Sequence, residues 1–546
     1  MGILHSAGLT IVAFALLISV IVFFHELGHL LVGKWLGVKA VRFSIGFGPR
    51  LFGAKWGETE YRVSLLPLGG YVKFAGDNPM EELAPEDRGR GFLEQPPYKK
   101  AAIAFAGPAA NFLLALILYF AVNAAPHRDL STLVGYVKPG SPAAAAGVRY
   151  GDRIRAIDGE KVSGFLALQE KIRRHAGQPM TLTVERDGQT RDVRVTPAVH
   201  EETNPIETVK QGRIGISAAP RIAEIAVEPG SPAARAGLRT FDLVTRFGGQ
   251  PISSYEQLEQ KLAAARGSVE VEALRKREVP APGAVLWAQD PIRVALDVDG
   301  AGSGIESADL TIFAVQPGSA AAEAGLQRGD RVVTVDGKPV VWWFDEVETA
   351  RRAAGAGPLS LTVRRDGKLH TVTVRQHLRS GRDEAGVRVK VPELGAAPDA
   401  SIFAGEPERI WVRYPVAEAM KRSVEETAGA IRGLALGIGK ILTGHISSEA
   451  IGGPIMIADV ARKAADDGWQ TFVYVMGMIS VNLGLLNLVP IPVLDGFHVL
   501  SAAVEAIRRR PLSIRFREIA NLVGVALVIG LMLFALRNDA MRKFFE

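Results

Sequence analysis

Four long apolar runs restrict the fold of this sequence more than any other feature. They cover residues 9–32, 101–125, 469–494 and 519–536, and Glu26 is the only acidic or basic residue in all four. Each run is long enough to cross a hydrocarbon core of about 30 Å. The overall content of 22% charged and 48% hydrophobic residues would suit a soluble globule, but that average conceals the segregation. The pattern therefore predicts four membrane-spanning helices.

Basic residues beside the runs predict the orientation of the chain. They cluster in the loops after the first and third runs, so the positive-inside rule makes these loops cytoplasmic. Both termini and the segment from about residue 126 to 467 are then expected outside the cytoplasm. A signal peptide is the rival interpretation of the first run, but the run lacks a basic start and carries Glu26 deep inside. The loop residues are Lys34, Lys39, Arg42, Lys99 and Lys100, and Arg508, Arg509, Arg510, Arg515 and Arg517.

Cysteine is absent from the chain, so neither disulfides nor thiolate metal ligands can form. Any zinc must be held by imidazole and carboxylate groups. The net charge of +6 is spread over loops without a compact basic patch. We therefore expect no binding of nucleic acid.

One sequence pattern occurs three times in the segment between the second and third runs. The copies begin with PGS at Pro139, Pro229 and Pro317, which are 90 and 88 residues apart. This spacing suits three small tandem domains better than solenoid units. Alternating strands joined by Asp-Gly follow the first and third copies and predict β-hairpins at residues 187–188 and 366–367.

The three copies resemble PDZ domains of bacterial envelope proteases. That resemblance implies binding of peptide termini by strand addition to a sheet edge. Some copies could instead be spacers, and for the middle copy the two interpretations are about equally good. In the middle copy Thr240 and Phe241 stand where the others have a glycine, Gly151 or Gly329.

The motif HELGH occupies residues 25–29 within the first predicted helix. Residues i and i+4 of a helix are about 40° apart around the axis and about 6 Å apart along it, so His25 and His29 can reach one ion. Glu26 can then act on a water at that ion as the general base. The alternative is a structural cluster whose side chains only satisfy one another. An acidic group deep in a spanning helix costs roughly 2.5 kcal/mol or more, which favours a functional site.

A catalytic zinc usually has three protein ligands, so a third one is expected elsewhere in the membrane region. Pro490 and Pro492 predict a helix break at the end of the third run. Asp495 follows the break and could meet the two histidines, leaving a +1 centre that lowers the pKa of bound water. Asn482 and Asn487 could line the same cavity and hold substrate backbone. Hydrogen bonding between helices is nearly as good an interpretation of Asn482.

HELGH in the first run and NLVPIPVLDG in the third resemble the site-2 protease family of intramembrane zinc metalloproteases. Four further motifs occur in the family's order: GFGPRLFG, SLLPLGGYVKFAG, AGPAANFLLA and EAIGGPIMIA. The resemblance implies a zinc cofactor (Zn2+), a bacterial cytoplasmic (inner) membrane location, and an active site near the cytoplasmic side. The implied roles are zinc ligation by His25, His29 and Asp495, catalysis by Glu26, and substrate handling by Asn487, Pro490 and Pro492.

In this family the segment after the first span forms a membrane-associated β-structure that can pair with an unwound substrate. Residues 41–45, 61–65 and 71–74 are the candidate strands. Two departures from the family pattern stand out: a third PDZ-like repeat, and Phe497 in place of a second glycine after LDG.

These observations predict a multi-domain membrane protein. Its α-helical core of four transmembrane helices carries a membrane-associated β-hairpin or sheet, with tandem PDZ-like domains of α+β or β-barrel type. The expected divisions are 1–125 for two spans and the β segment, 126–205, 206–300 and 301–392 for the PDZ-like domains, 393–468 for a linker with interfacial helices, and 469–546 for the last two spans.

The predicted function is cleavage of transmembrane segments of single-span membrane proteins of the anti-sigma factor type, with signal-peptide remnants as a further candidate class. Peptide termini at the PDZ-like domains and the lipid bilayer are the other expected partners. The alternatives are a PDZ scaffold without proteolytic activity and, more weakly, a zinc carrier.

Overall fold

Long helices form both ends of the chain and strands form most of its middle. The computed structural model describes residues 2–78, 83–203, 207–281, 284–299, 301–382, 388–403 and 405–544. The chain divides into two compact units. The membrane unit comprises the chain up to His127 and from Arg413 onward, and the repeat unit comprises most of the segment from Arg128 to Val412.

Seven α-helices form most of the membrane unit. Four of them (α1, α2, α5 and α7) are long and apolar enough to cross a membrane, which confirms the four predicted spans. The third span ends at Asn487, before Pro490 and Pro492, because proline cannot continue a regular helix. In chain order the helices are α1 (Gly2–Trp35), α2 (Pro97–Ala124), α3 (Val416–Leu442), α4 (Pro454–Asp467), α5 (Trp469–Asn487), α6 (Asp495–Arg508) and α7 (Ile514–Phe544).

Helix α2 is the centre of this unit and packs against α1, α3, α5 and α6. Two glycines permit its closest approach to α1. A Cβ atom on Gly28 would lie 2.3 Å from the backbone oxygen of Ala106, and one on Gly107 would lie 2.3 Å from Nε2 of His29. Small residues allow helices to meet closely in a membrane, where lipid leaves little hydrophobic drive for association. The HELGH imidazoles are therefore pressed against α2.

A long hairpin, β1 (Ala40–Trp56) and β2 (Thr59–Phe74), follows α1. The inner part of β1 pairs on both sides, since Phe43 is opposite both Tyr61 and Val72. The three strands expected from the sequence all lie in this sheet. The sequence did not predict the outer part of β1, residues 50–56, which also pairs with β2.

Three four-stranded antiparallel sheets dominate the repeat unit, one for each sequence repeat. The order in each sheet is second, first, third and fourth strand along the chain. One helix follows the second strand of each repeat: Phe165–Arg174, Tyr255–Ala264 or Glu348–Ala354. In sheet order the strands are Glu160–Lys161, Arg153–Ile157, Met180–Arg186 and Gln189–Val195; Gln250–Pro251, Asp242–Phe247, Arg266–Ala281 and Ala284–Asp299; and Lys338–Pro339, Arg331–Val335, Pro358–Arg365 and Lys368–Arg375.

A short strand pair closes each repeat by joining its beginning to its end. The closing strands lie beyond residues 205, 300 and 392, where the sequence placed the ends of the repeats, because strand pairing over this distance leaves no local signal. The closing pairs are Tyr136–Val137 with Ile216–Ser217, Ile225–Val227 with Ile305–Ser307, and Ala314–Val315 with Ala396–Ala397. Further pairs are Ala198–Thr203 with Thr208–Arg213, His377–Arg382 with Arg388–Glu393, and His127–Leu130 with Arg409–Val412.

Local sequence signals explain the repeated turns. The serine of each PGS motif caps a one-turn helix by accepting a hydrogen bond from the backbone N–H three residues later. Both predicted Asp-Gly hairpin turns are confirmed, and all four residues have positive φ, as a two-residue hairpin turn requires. The capping serines are Ser141, Ser231 and Ser319, and the turn residues are Asp187, Gly188, Asp366 and Gly367.

Each repeat also contains a buried ion pair with the same geometry. In the first repeat Asp152 is 0% exposed and receives two hydrogen bonds of 2.5 and 2.7 Å from Arg186. The same arginine donates to the backbone oxygen of Gly147, so it ties the third strand to the loop before the first. Arg275 with Asp242 and Arg365 with Asp330 repeat the arrangement.

We expect Asp152→Asn to destabilise the first repeat by about 3 kcal/mol, because it leaves the arginine without its buried partner. Pulse proteolysis of the full-length protein in urea measures the change. The control is Asp192→Asn, since Asp192 is exposed on the neighbouring strand. Equal urea midpoints for Asp152→Asn and the wild type would contradict the importance of this pair.

A buried carboxyl group in the repeat unit gives a pH-dependent prediction. Burial raises the pKa of Glu224 to about 7, although Lys276, which also contacts Asp399, opposes the rise. Protonation of Glu224 therefore favours the folded state. This stabilisation is fully present below about pH 4.5, which is the pKa of Glu224 in the unfolded chain. On the order of 3 kcal/mol of it is lost as the pH rises to about 7, the pKa in the folded protein.

The Glu224→Gln variant should lose this dependence, because its side chain does not titrate. The measurement is the urea midpoint of the repeat unit at pH 5 and pH 8 in the variant and in the wild type. The other titrating groups contribute equally to both proteins, so the difference between the two pH dependences belongs to Glu224. An unchanged difference between the two pH values in the variant would show that Glu224 is not its source.

Candidate active site

His25, His29 and Asp495 converge on one point in the membrane unit. The His25 Nε2 is 3.1 Å from one carboxylate oxygen of Asp495, and the His29 Nε2 is 3.4 Å from the other. The two Nε2 atoms are 3.3 Å apart. Both imidazoles come from one face of α1, whereas Asp495 is the first residue of α6. The structure therefore brings together the three residues that the sequence predicted as ligands.

The donor atoms fit a zinc ion. Zinc–ligand bonds of about 2.0–2.2 Å in a tetrahedron place neighbouring donors roughly 3.4 Å apart. The measured separations of 3.1 to 3.4 Å agree with that edge length. Two imidazole nitrogens and one carboxylate form a common catalytic zinc set and leave the fourth position open.

The orientation of His29 agrees with this geometry. Its Nδ1 lies 2.7 Å from the backbone oxygen of Ile103 on α2, an acceptor that requires the proton on Nδ1. The Nε2 lone pair is then free to face the other two donors. Such a contact on the far side of a histidine ring is usual at metal centres.

A cavity of about 700 Å³ opens onto this cluster. Glu26 lines it one residue along α1 from His25, and Val72 of β2 lines the same cavity. A Cβ on Gly70 would lie only 3.2 Å from Cγ of Glu26, so the hairpin lies directly against the acid. The cavity is lined by His25, Glu26, His29, Tyr71, Val72, Phe74, Asp77, Phe92, Ile103, Ala104, Asn487, Val493, Leu494, Asp495, His498, Asn521 and Val525.

The predicted substrate-handling residues lie at different distances from the cluster. Asn487 lines the cavity, and its Nδ2 is 3.2 Å from Nε2 of His25. Asn482 does not line the cavity. Pro490 and Pro492 form the loop between α5 and α6 and do not line the cavity themselves, whereas Val493 and Leu494 do.

Two features of this loop concern the backbone beside Asp495. Val493 has a φ of +87°, which is a strained conformation for a β-branched residue. Phe497, where the resemblance implied a second glycine, lies in the first turn of α6, and its N–H donates to the Leu494 carbonyl at 3.1 Å. Helical backbone needs no glycine there, and α6 still begins at Asp495.

The sequence did not predict the contribution of Gly107 and of β2 residues Tyr71 and Val72. Gly107 removes the side chain that would fill the space beside both imidazoles. The available signal was the AGPAANF motif, whose glycine and proline are unusual within a spanning helix. Tyr71 and Val72 lie in an expected strand, but no sequence pattern indicates which strand faces Glu26.

A spanning bundle with a His-His-Asp cluster beside a glutamate defines a class of membrane-bound metalloproteases, and comparison with known proteins gives the family. The sequence model of Peptidase family M50 matches residues 13–531. The chain therefore belongs to this family. It is a zinc-dependent metalloprotease that acts by intramembrane proteolysis, and a scaffold without activity is not favoured.

Curated relatives are similar over almost their whole length. Protease RseP from Yersinia pestis is 31% identical over 547 residues, which cover 99% of this chain and 100% of the relative. The regulator of sigma-E protease RseP from Salmonella typhimurium is 29% identical over 533 residues, covering 97% and 98%. A protein from Neisseria meningitidis serogroup A, whose assigned name is that of a zinc metalloprotease, is 29% identical over 540 residues, covering 98% and 99%.

Gly107→Ala should abolish zinc binding, because a methyl group would occupy the space of the imidazoles. The expected result is purified protein that contains little zinc and has no protease activity. Gly433→Ala in α3 is the control, since a Cβ there meets nothing within 4 Å and alanine favours a helix by about 1 kcal/mol. A normal zinc content in Gly107→Ala would show that the imidazoles are not confined in this way.

Proposed function

We propose that His25, His29 and Asp495 bind the catalytic zinc and that Glu26 is the general base for peptide-bond hydrolysis inside the membrane. One observation carries the proposal. Imidazoles from the first span and a carboxylate from the start of α6 lie 3.1 to 3.4 Å apart in a cavity that Glu26 also lines.

The residues have distinct chemical tasks in this mechanism. A bound zinc ion would supply Lewis acidity, polarising the scissile carbonyl and making water a better nucleophile. Glu26 removes the proton of the attacking water and later delivers it to the leaving amine. The Asn487 amide, close to His25, is placed to donate a hydrogen bond to the substrate carbonyl oxygen as negative charge develops there.

The hairpin offers a way to present an extended substrate. The segment Tyr71–Phe74 pairs with the beginning of β1, and among the described residues no strand pairs with its other edge. This edge segment lines the cavity beside Glu26. A spanning helix that unwinds locally could add as a strand here, which would satisfy its backbone and expose one peptide bond. Pro490 and Pro492 would support the opposite wall through the loop that leads into Asp495. The position of Asn482 away from the cavity fits a contact between helices better than substrate binding.

We infer that the substrates are single-span membrane proteins of the anti-sigma factor type, which the name of the Salmonella relative suggests. Signal-peptide remnants are a further candidate class. The active site would lie near the cytoplasmic side and the repeats on the opposite side of the membrane. Basic residues in the two loops predicted to be cytoplasmic support this orientation.

The repeats are proposed to be three PDZ-like domains that admit or tether substrates. Contacts within the repeat unit support a packed array rather than independent domains. Arg221, between the first and second repeats, is 4.6 Å from the ring of Tyr136 and 2.8 Å from Glu256. Tyr136 in turn stacks on Trp342 of the third repeat at 4.8 Å. A rigid array of this kind would exclude substrates with bulky external domains.

Cleavage should depend on Glu26 while zinc binding should not. The Glu26→Gln variant is expected to bind zinc normally and to lose at least about 100-fold in turnover of a model single-span substrate, because the base is gone. His25→Ala should lose both zinc and activity, and a zinc chelator should block the wild type. Glu418→Gln in α3, a half-buried position that does not line the cavity, serves as the control. Undiminished turnover by Glu26→Gln would reject the assigned base.

A further inference from the structure

Asn111 of α2 is a buried polar residue that the proposed chemistry does not use. It is 0% exposed, and its Nδ2 lies 3.2 Å from Nδ1 of His25. Its Oδ1 is buried and has no hydrogen-bond partner among the residues that the structure describes. Buried amide oxygens are normally satisfied, so this arrangement requires an explanation.

The tautomer of His25 supplies one. Its Nε2 faces Asp495 at 3.1 Å and the His29 Nε2 at 3.3 Å, so the lone pair that binds a metal must be on Nε2. The proton of the neutral ring is then on Nδ1, which needs an acceptor. An amide NH₂ cannot accept, whereas the amide oxygen can. A 180° rotation of the amide exchanges two nearly isosteric ends, placing Oδ1 against the Nδ1–H and satisfying both groups.

The two histidines would then be held by α2 in the same way. Nδ1 of His29 donates to the backbone oxygen of Ile103 at 2.7 Å, and Nδ1 of His25 would donate to the side chain of Asn111. Gly107 and Asn111 are four residues apart and therefore share one face of the helix. The first makes room for the imidazoles, and the second orients one of them.

The backbone of Asn111 is itself fixed. Its carbonyl oxygen accepts a hydrogen bond of 2.9 Å from the hydroxyl of Ser480 on α5, and Ser480 is also fully buried. This hydrogen bond fixes the position of Asn111 along α2, beside His25. Buried packing alone would not place the amide at hydrogen-bond distance from the ligand's outer nitrogen.

We propose that Asn111 is a positioning residue whose Oδ1 accepts the Nδ1–H of His25, fixing the ring so that Nε2 faces the metal. This inference rests on the proposed function, in which His25 is a zinc ligand. Partners of this kind typically change metal affinity by about 10- to 100-fold when they are removed.

The test is the zinc dissociation constant of the full-length protein, measured by competition with a chelator. Asn111→Leu removes the acceptor and should weaken zinc binding about 10- to 100-fold. Asn111→Asp keeps an acceptor and should bind zinc without this loss of about 10- to 100-fold. At saturating zinc, Asn111→Leu should lower kcat and leave KM unchanged, because the substrate does not touch this residue.

Asn123→Leu is the matched control. Asn123 is a buried asparagine in the same helix, and its amide donates to Ser423 and Glu426, far from the cluster in sequence. This variant should lose stability but bind zinc like the wild type. If Asn123→Leu loses as much zinc affinity as Asn111→Leu, general destabilisation explains both results. That outcome would overturn the proposal.

Other outcomes are equally decisive. Wild-type zinc affinity in Asn111→Leu overturns the inference, and weak binding by Asn111→Asp overturns the acceptor role. If Asn111→Leu does not fold, the result for Asn111→Asp decides alone. The His25→Ala variant separates the two proposals. If His25→Ala binds zinc like the wild type, the proposed ligand set fails. If His25→Ala loses zinc but Asn111→Leu binds it like the wild type, only the inference about Asn111 fails.

Discussion

The close contact between α1 and α2 determines the arrangement on which the rest of the site depends. Lipid offers little hydrophobic drive for helix association, so short-range packing must hold the two spans together. Gly28 lets the backbone of α1 approach Ala106, and Gly107 lets α2 approach the imidazoles. With larger residues at these positions, His25 and His29 could not point into the helix interface. This contact therefore brings the Nε2 atoms of the two histidines, which are four residues apart in the sequence, to within 3.3 Å of each other.

The third member of the cluster depends on a different constraint, the need to satisfy irregular backbone at membrane depth. The loop between α5 and α6 has carbonyl groups that a helix would otherwise satisfy, and hydrocarbon cannot replace those hydrogen bonds. Close packing covers them. A Cβ on Gly496 would lie 2.2 Å from the oxygen of Leu488, and one on Gly524 of α7 would lie 2.1 Å from the oxygen of Pro492. Contacts this close hold the loop against α6 and α7, and Asp495 at the start of α6 reaches the two imidazoles of α1. The strained backbone of Val493 fits a position whose surroundings fix it.

The sequence predicts features whose signals are local or carry an intrinsic cost. The four spans, the end of the third span before its prolines, and the Asp-Gly hairpins are of this kind. Glu26 could be singled out because an acid within a spanning helix is expensive, and Asp495 because it follows a helix break. The role of Asn111 was not predicted, because an asparagine in a spanning helix is also consistent with ordinary helix packing. The closing strands of the repeats and the pairing of the inner part of β1 on both of its sides were not predicted either, because both depend on residues distant in sequence.

Phe241 shows how a departure from a local pattern can be stabilised by contacts between repeats. It occupies the position of Gly151 and Gly329 and has a φ of +75°, a conformation that costs a non-glycine residue of order 1–3 kcal/mol. Its ring is almost fully buried and meets Phe313 edge-on at 5.1 Å. The guanidinium of Arg328 lies 4.8 Å from the same ring. Phe313 and Arg328 belong to the third repeat, so the aromatic side chain joins two repeats at the place where a glycine would join none. Burial of an aromatic ring offsets strain of this size. The middle repeat has therefore kept the turn of its neighbours while gaining a fixed connection to the third, which suits a rigid array better than a chain of independently moving domains.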